Sequence, residues 1–204
     1  MKISGKNILA LAGALIVCLL LAVLAGARPT QPKPTRMDTA TADSVETEDE
    51  PFRLESFTAE TLDGGTFTQE DIVAKDVTVI NFWATTCGPC ISEMPELAAF
   101  AEALPENVQL VTVCLDGLGN EETVSMYLEE AGYTGATLVS GDGDFLTLCG
   151  QIVYTPTTVF LDAEGTLAVD PVVGGRESLA ADYLAAVNAV LTAGGKDAVQ
   201  LADA

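Results

Sequence analysis

Residues 77–83 form a β-branched and aromatic run, VTVINFW, that stops four residues before Cys87-Gly88-Pro89-Cys90. The hydrophobic period then changes: Ile91, Met94, Leu97, Ala98, Phe100, Ala101 and Leu104 recur at intervals of three and four, which predicts a helix to about residue 104. Pro89 is tolerated in the first turn of such a helix, while Pro95 is expected to kink it. A buried strand, a short turn and a helix therefore place Cys87 at the helix N-terminus. Unpaired N–H groups and a partial positive charge of about half a unit there favour S⁻ over SH. Cys87 is the expected nucleophile. Cys90 lies close enough to resolve a mixed disulfide on Cys87, a cycle that needs no cofactor.

The other chemistry open to a C-x-x-C pair is half of a zinc site, which needs two more ligands. Cys114 and Cys149 are the only candidates in the body and the chain has no histidine, so no metal is expected. The missing imidazole also removes Ser-His and Cys-His hydrolase chemistry.

The remaining pattern gives the order of elements. Residues 52–60 and 66–68 flank Asp63-Gly64-Gly65, which reads as a β-hairpin, with one helical turn at 69–73. Strands are predicted at 77–83, 108–115, 136–139 and 157–161, the last with a hairpin partner at 167–173. Helices are predicted at 121–131, closed by Gly132, and at 144–150 and 179–191. Parallel strands joined by crossover helices, followed by an antiparallel hairpin and a closing helix, predict an α/β fold. It has a central mixed sheet covered by helices on both faces and an added N-terminal β-hairpin.

Outside this body, residues 8–27 are apolar and uncharged, preceded by Lys2 and Lys6. As a helix they would measure about 30 Å, enough to cross a bilayer. Ala25-Gly26-Ala27 also satisfies the small-residue rule for signal cleavage. The expectation for 1–27 is thus a membrane anchor or signal segment, with the body on the extracytoplasmic side. Residues 28–51, rich in Pro, Thr, Asp and Glu, read as a solvated tether. The folded domain is assigned to 52–193 and a C-terminal tail to 194–204. From Leu54 onward there are 3 basic residues against 24 acidic ones, a difference of 3 − 24 = −21, so no nucleic-acid partner is expected.

NFWATTCGPC, then Glu93 and Pro95, then YTPTTVFLD, resemble the TlpA/ResA-type branch of thioredoxin-like proteins, a group placed with the redoxins. The resemblance spans roughly residues 52–191. It implies a thioredoxin-like fold and a cis bond before Pro156, with the backbone of Thr155 and Pro156 presented to an extended substrate. It also implies a substrate-contacting surface of Trp83, Thr86, Gly88, Pro89, Thr155 and Pro156, and an acid/base role for Glu93 beside Cys90. Asn81 stands where thioredoxins carry a buried aspartate. Most relatives have Trp where this chain has Thr86, so the flat aromatic substrate contact is missing.

The family's implied activity is thiol–disulfide exchange with exported cysteine proteins, apocytochrome c among them, with electrons from a CcdA- or DsbD-like membrane carrier. The Gly-Pro dipeptide, as in reducing thioredoxins, points to a reductant. A peroxiredoxin-type thiol peroxidase lacks its signature here, since Ile80 stands seven residues before Cys87. A non-catalytic binding module with an inert disulfide is the third reading. For Cys114 and Cys149, three states are open: a second disulfide, two plain buried thiols, or a relay pair.

Overall fold

The computed structural model describes residues 51–201; the predicted anchor and nearly all of the predicted tether lie outside them. Among the described residues no helix is long and apolar enough to cross a membrane.

Among the described residues, seven strands form one mixed sheet in the order β2-β1-β5-β4-β3-β6-β7. They are β1 (Thr58–Thr61), β2 (Thr66–Thr68), β3 (Val77–Trp83), β4 (Val108–Cys114), β5 (Thr137–Gly141), β6 (Thr157–Asp162) and β7 (Val172–Val173). The helices are α1 (Gln69–Val73), α2 (Gly88–Ala103), α3 (Glu121–Ala131), α4 (Gly143–Gln151) and α5 (Leu179–Ala193). β3 is central, parallel to β4 and antiparallel to β6, and all seven of its residues are buried. The two-sided cover explains why apolar residues stand on both of its faces rather than alternating with exposed ones, Thr78 and Asn81 being its buried polar members. The N-terminal hairpin, β1 with β2, adds to the sheet by pairing β1 antiparallel to β5.

Side-chain alternation along β3 and β4 divides the core. Val77, Val79, Trp83, Leu110 and Cys114 pack with α2, α3 and α5, while Ile80, Phe82, Val111 and Val113 pack with Ile72 of α1 and with Phe145 and Leu148 of α4.

Local chemistry sets the boundaries. Gly132 ends α3 at φ 74°, a left-handed cap that favours glycine. α2 runs unbroken through Pro95.

One expectation needs correction. The partner of β6 is not a continuous strand over 167–173: Leu167 bridges Leu161, and the ladder resumes only at Val172–Val173. Pro171, with no N–H to donate, lies in the gap. Residues 194–201, the described part of the segment assigned to the C-terminal tail, lie against the domain. Asn188 exchanges two hydrogen bonds with the Val199 backbone, at 2.7 and 3.0 Å, and Val199 and Leu201 pack on the core.

Candidate active site

β3 ends at Trp83, and the chain turns through Ala84-Thr85-Thr86, closed by the Cys87 N–H donating to the Ala84 carbonyl at 3.0 Å. Cys87 is the N-cap of α2, and its Sγ accepts the Cys90 N–H at 3.3 Å. The sulfur therefore occupies the acceptor position that a Ser or Asp side chain takes at other helix starts, where an S⁻ is stabilised by the same donors. A disulfide joins Cys87 to Cys90, with the Cα atoms 5.3 Å apart. Cys87 is partly exposed while Cys90 is 2% exposed. That asymmetry suits attack by Cys87 and resolution by Cys90.

The Thr155-Pro156 bond is cis. Because Phe82 pairs with Thr157 across β3 and β6, Pro156 falls at the sheet end from which the Cys87 turn departs. Gly174 donates its N–H to the Pro156 carbonyl at 2.8 Å. Next to it, a Cβ on Gly175 would stand 4.0 Å from Pro89 and 3.3 Å from Glu93 Oε2. One glycine pair thus joins the cis-proline loop to the first turns of α2. No periodicity marks Gly174 and Gly175 in the sequence.

Glu93 follows Cys90 by one helical turn and shares its buried face, with 9% exposure. Neither carboxylate oxygen has a hydrogen-bond partner of good geometry. Burial pushes the Glu93 carboxyl up to about 7; the nearby Arg176 backbone and Asn81 amide oppose that shift, and the Glu96 charge adds to it. Asn81 is committed elsewhere, donating to Thr158 Oγ1 at 2.9 Å, and Thr158 in turn shares a 2.6 Å hydrogen bond with Tyr183. Glu93 is therefore the titratable group on the Cys90 side of the site whose proton exchanges near neutral pH.

Thr86, Gly88 and Pro89 are exposed around the disulfide, and Thr155 is partly exposed. Trp83 is not a surface residue. It is 0% exposed, stacks edge-on to Tyr127 at 6.4 Å, and its indole N–H has no partner. Its alternation with Val77 and Val79 carries it into the core, where it lies beneath the turn. Exposed apolar side chains occur instead just before the cis-proline: Val153 is 78% exposed and Tyr154 70%.

The second disulfide is ruled out. Cys114 and Cys149 are free thiols, and they lie on opposite faces of the sheet, Cys114 among the residues under α2 and Cys149 against those under α4. Burial pushes the Cys149 thiol up to about 11; burial and the Asp116 carboxylate push that of Cys114 up to about 12. Both are poor nucleophiles, and the sheet between them rules out a relay pair.

A disulfide at a helix N-terminus, with a cis-proline loop beside it at one end of a helix-covered mixed sheet, defines a thioredoxin-like domain. Residues 47–184 match the Redoxin family model, and the chain belongs to that family. It is similar to a thioredoxin-like protein of Haemophilus influenzae, 34% identical over 111 residues, which are 54% of this chain and 64% of that protein. It is also similar to the thiol-disulfide oxidoreductase ResA of Oceanobacillus iheyensis, 33% identical over 117 residues, 57% of this chain and 58% of that protein. The matched regions are thus somewhat under two thirds of these relatives' lengths. Among solved structures, MTB dsbF in mixed oxidized and reduced forms aligns with a TM-score of 0.52 and 28% identity, covering 70% of this chain and 97% of that one.

Proposed function

We propose that the protein is a thiol–disulfide oxidoreductase that reduces disulfides of exported cysteine proteins, working on the extracytoplasmic side of a membrane to which residues 1–27 attach it. The observation that carries the activity is the Cys87–Cys90 disulfide at the N-terminus of α2, beside cis-Pro156.

In the reduced enzyme the Cys87 thiolate attacks one sulfur of a substrate disulfide, forming the mixed disulfide and expelling the other substrate sulfur as thiolate. Cys90 then loses its proton, with the Glu93 carboxylate as acceptor, and attacks Cys87 Sγ. The second substrate sulfur departs as thiolate, the two substrate thiolates take protons from Glu93 and solvent, and Cys87–Cys90 remains as the disulfide. Two electrons have passed to the substrate, and a membrane dithiol carrier of the CcdA or DsbD kind returns them. Main-chain groups of Thr155 and Pro156 hold the substrate segment extended, and Val153 and Tyr154 supply the apolar contact that Thr86 does not.

Support for the exported setting comes from the apolar segment and acidic tether in the sequence, and for the exchange class from the resemblance to ResA. Apocytochrome c is one substrate of this kind. Insulin reduction by the purified protein with dithiothreitol tests the activity. Turnover by wild type, none by Cys87→Ser and a trapped mixed disulfide in Cys90→Ser are expected; equal rates in wild type and Cys87→Ser would leave only a binding module. Protease or maleimide accessibility of the body in intact cells tests the location, with protection of the body as the contrary result.

A further inference from the structure

β3 and β4 stay in parallel register to their last residues, Trp83 opposite Cys114, so the segments leaving them are neighbours. Thr85 lies on one and Asp116 on the other. Asp116 Oδ1 accepts the Thr85 backbone N–H at 2.8 Å, and Oδ2 accepts the Thr85 hydroxyl at 2.6 Å. Oδ1 also accepts the Cys114 thiol at 3.2 Å. Both oxygens are engaged, and three donors converge on one partly buried carboxylate.

The carboxylate is itself braced from behind. Asn120 Nδ2 donates to the Asp116 carbonyl at 2.6 Å, and the Gly117 N–H to the Cys114 carbonyl at 3.0 Å. A Cβ on Gly117 would meet Val139 at 2.9 Å and the Cys114 carbonyl at 3.0 Å, so a side chain here would force the turn or Val139 to shift. Burial opposes the Asp116 charge, but the Thr85 and Cys114 hydrogen bonds more than offset it and hold the carboxyl below its usual range. It stays ionised at neutral pH.

Between Thr85 and Cys87 stands only Thr86, inside the turn that Cys87 closes onto Ala84. We propose that Asp116 is a positioning residue for Cys87: by gripping Thr85 at both its amide and its hydroxyl, it fixes the turn that lays the Cys87 sulfur against the N–H groups of α2. The proposal rests on Cys87 as the exchange nucleophile, and Asp116 acts on it only through Thr85. The same carboxylate engages the Cys114 thiol as a donor, which keeps that third sulfur protonated and out of exchange.

Position and charge act with opposite signs, which makes the proposal testable. A negative charge near Cys87 by itself disfavours its thiolate, so removing it by Asp116→Asn should speed reaction if charge is all that matters. Removing the grip should slow it.

The experiment is iodoacetamide alkylation of the reduced full-length chain between pH 4 and 9, read at Cys87 by mass spectrometry. Thr85→Val removes the hydroxyl while leaving the Asp116 charge and the backbone N–H in place, and Thr85→Ser restores the hydroxyl. Thr85→Val is expected to slow Cys87 alkylation at pH 6.5 by about three- to tenfold and move the profile to higher pH. Thr85→Ser should stay within about twofold of wild type, and Asp116→Asn should also be slower despite losing its charge.

An unchanged Thr85→Val profile, a faster Asp116→Asn, or a fall in melting temperature without movement of the profile overturns the proposal. Thr85→Val is a loop substitution and keeps the test open if Asp116→Asn does not fold. Alkylation needs no turnover, so a chain that showed these shifts but failed to reduce insulin would count against the oxidoreductase activity and not against the positioning.

Discussion

Gly175 lies against the Glu93 carboxylate: a Cβ at position 175 would come within 3.3 Å of Oε2, tighter than ordinary packing allows. The glycine lets the loop after β7 close over α2 and seal the carboxylate from water. Gly175→Ala therefore forces the loop or Glu93 to shift by a few tenths of an ångström. The expected cost is about 1 kcal/mol, measured by urea unfolding of the oxidised protein. A variant as stable as wild type would show that the loop yields freely.

Glu93 gives stability a pH dependence of definite sign. Its folded-state pKa is raised from 4.5 to about 7, chiefly by burial, so the folded protein holds the proton more tightly than the unfolded chain does. The contribution to stability is present below about 4.5 and is lost as pH rises towards about 7, by at most about 3 kcal/mol. Glu93→Gln abolishes that loss. Unfolding free energies of the oxidised protein at pH 4.5, 6 and 7.5, taken as the difference between wild type and variant, check this; a difference independent of pH would contradict it.

Trp83 supports the turn from the core. Trp83→Ala should destabilise the domain by about 3–5 kcal/mol, as a large buried aromatic does. Under conditions where the variant stays folded, KM for a peptide disulfide should change little. A stable variant with a raised KM would return Trp83 to the substrate surface.

Tyr154 carries the opposite expectation. Exposed just before the cis-proline, it should be lost at little cost in stability, within about 0.5 kcal/mol. Tyr154→Ser should raise KM for an apolar peptide disulfide several-fold while leaving the rate with dithiothreitol unchanged. Equal KM values would remove Tyr154 from substrate binding.

Much of this was legible in the sequence, and the misses have physical causes. The change of hydrophobic period after Cys87 placed α2 and its N-cap sulfur, and the buried runs placed β3 and β4 to within a residue. The cis bond at Pro156 followed only from the family resemblance. The burial of Trp83 is signalled by the strand parity it shares with Val77 and Val79. Similarly, Cys114 shares parity with Leu110, but that Cys149 lies across the sheet depends on which face α4 covers, which periodicity does not say. The Thr85–Asp116 and Gly175–Glu93 contacts join residues 31 and 82 positions apart in the chain. They depend on strand register and loop path, and no local pattern encodes either.

A Cys87–Cys90 couple that reduces its partners must hold its electrons at low potential. The reduction potential is measured by equilibrating the protein with glutathione or dithiothreitol buffers. A value near or below about −250 mV, close to that of thioredoxin, is the predicted result. A value near about −120 mV, that of a strong disulfide donor, would contradict it and reverse the direction of the reaction.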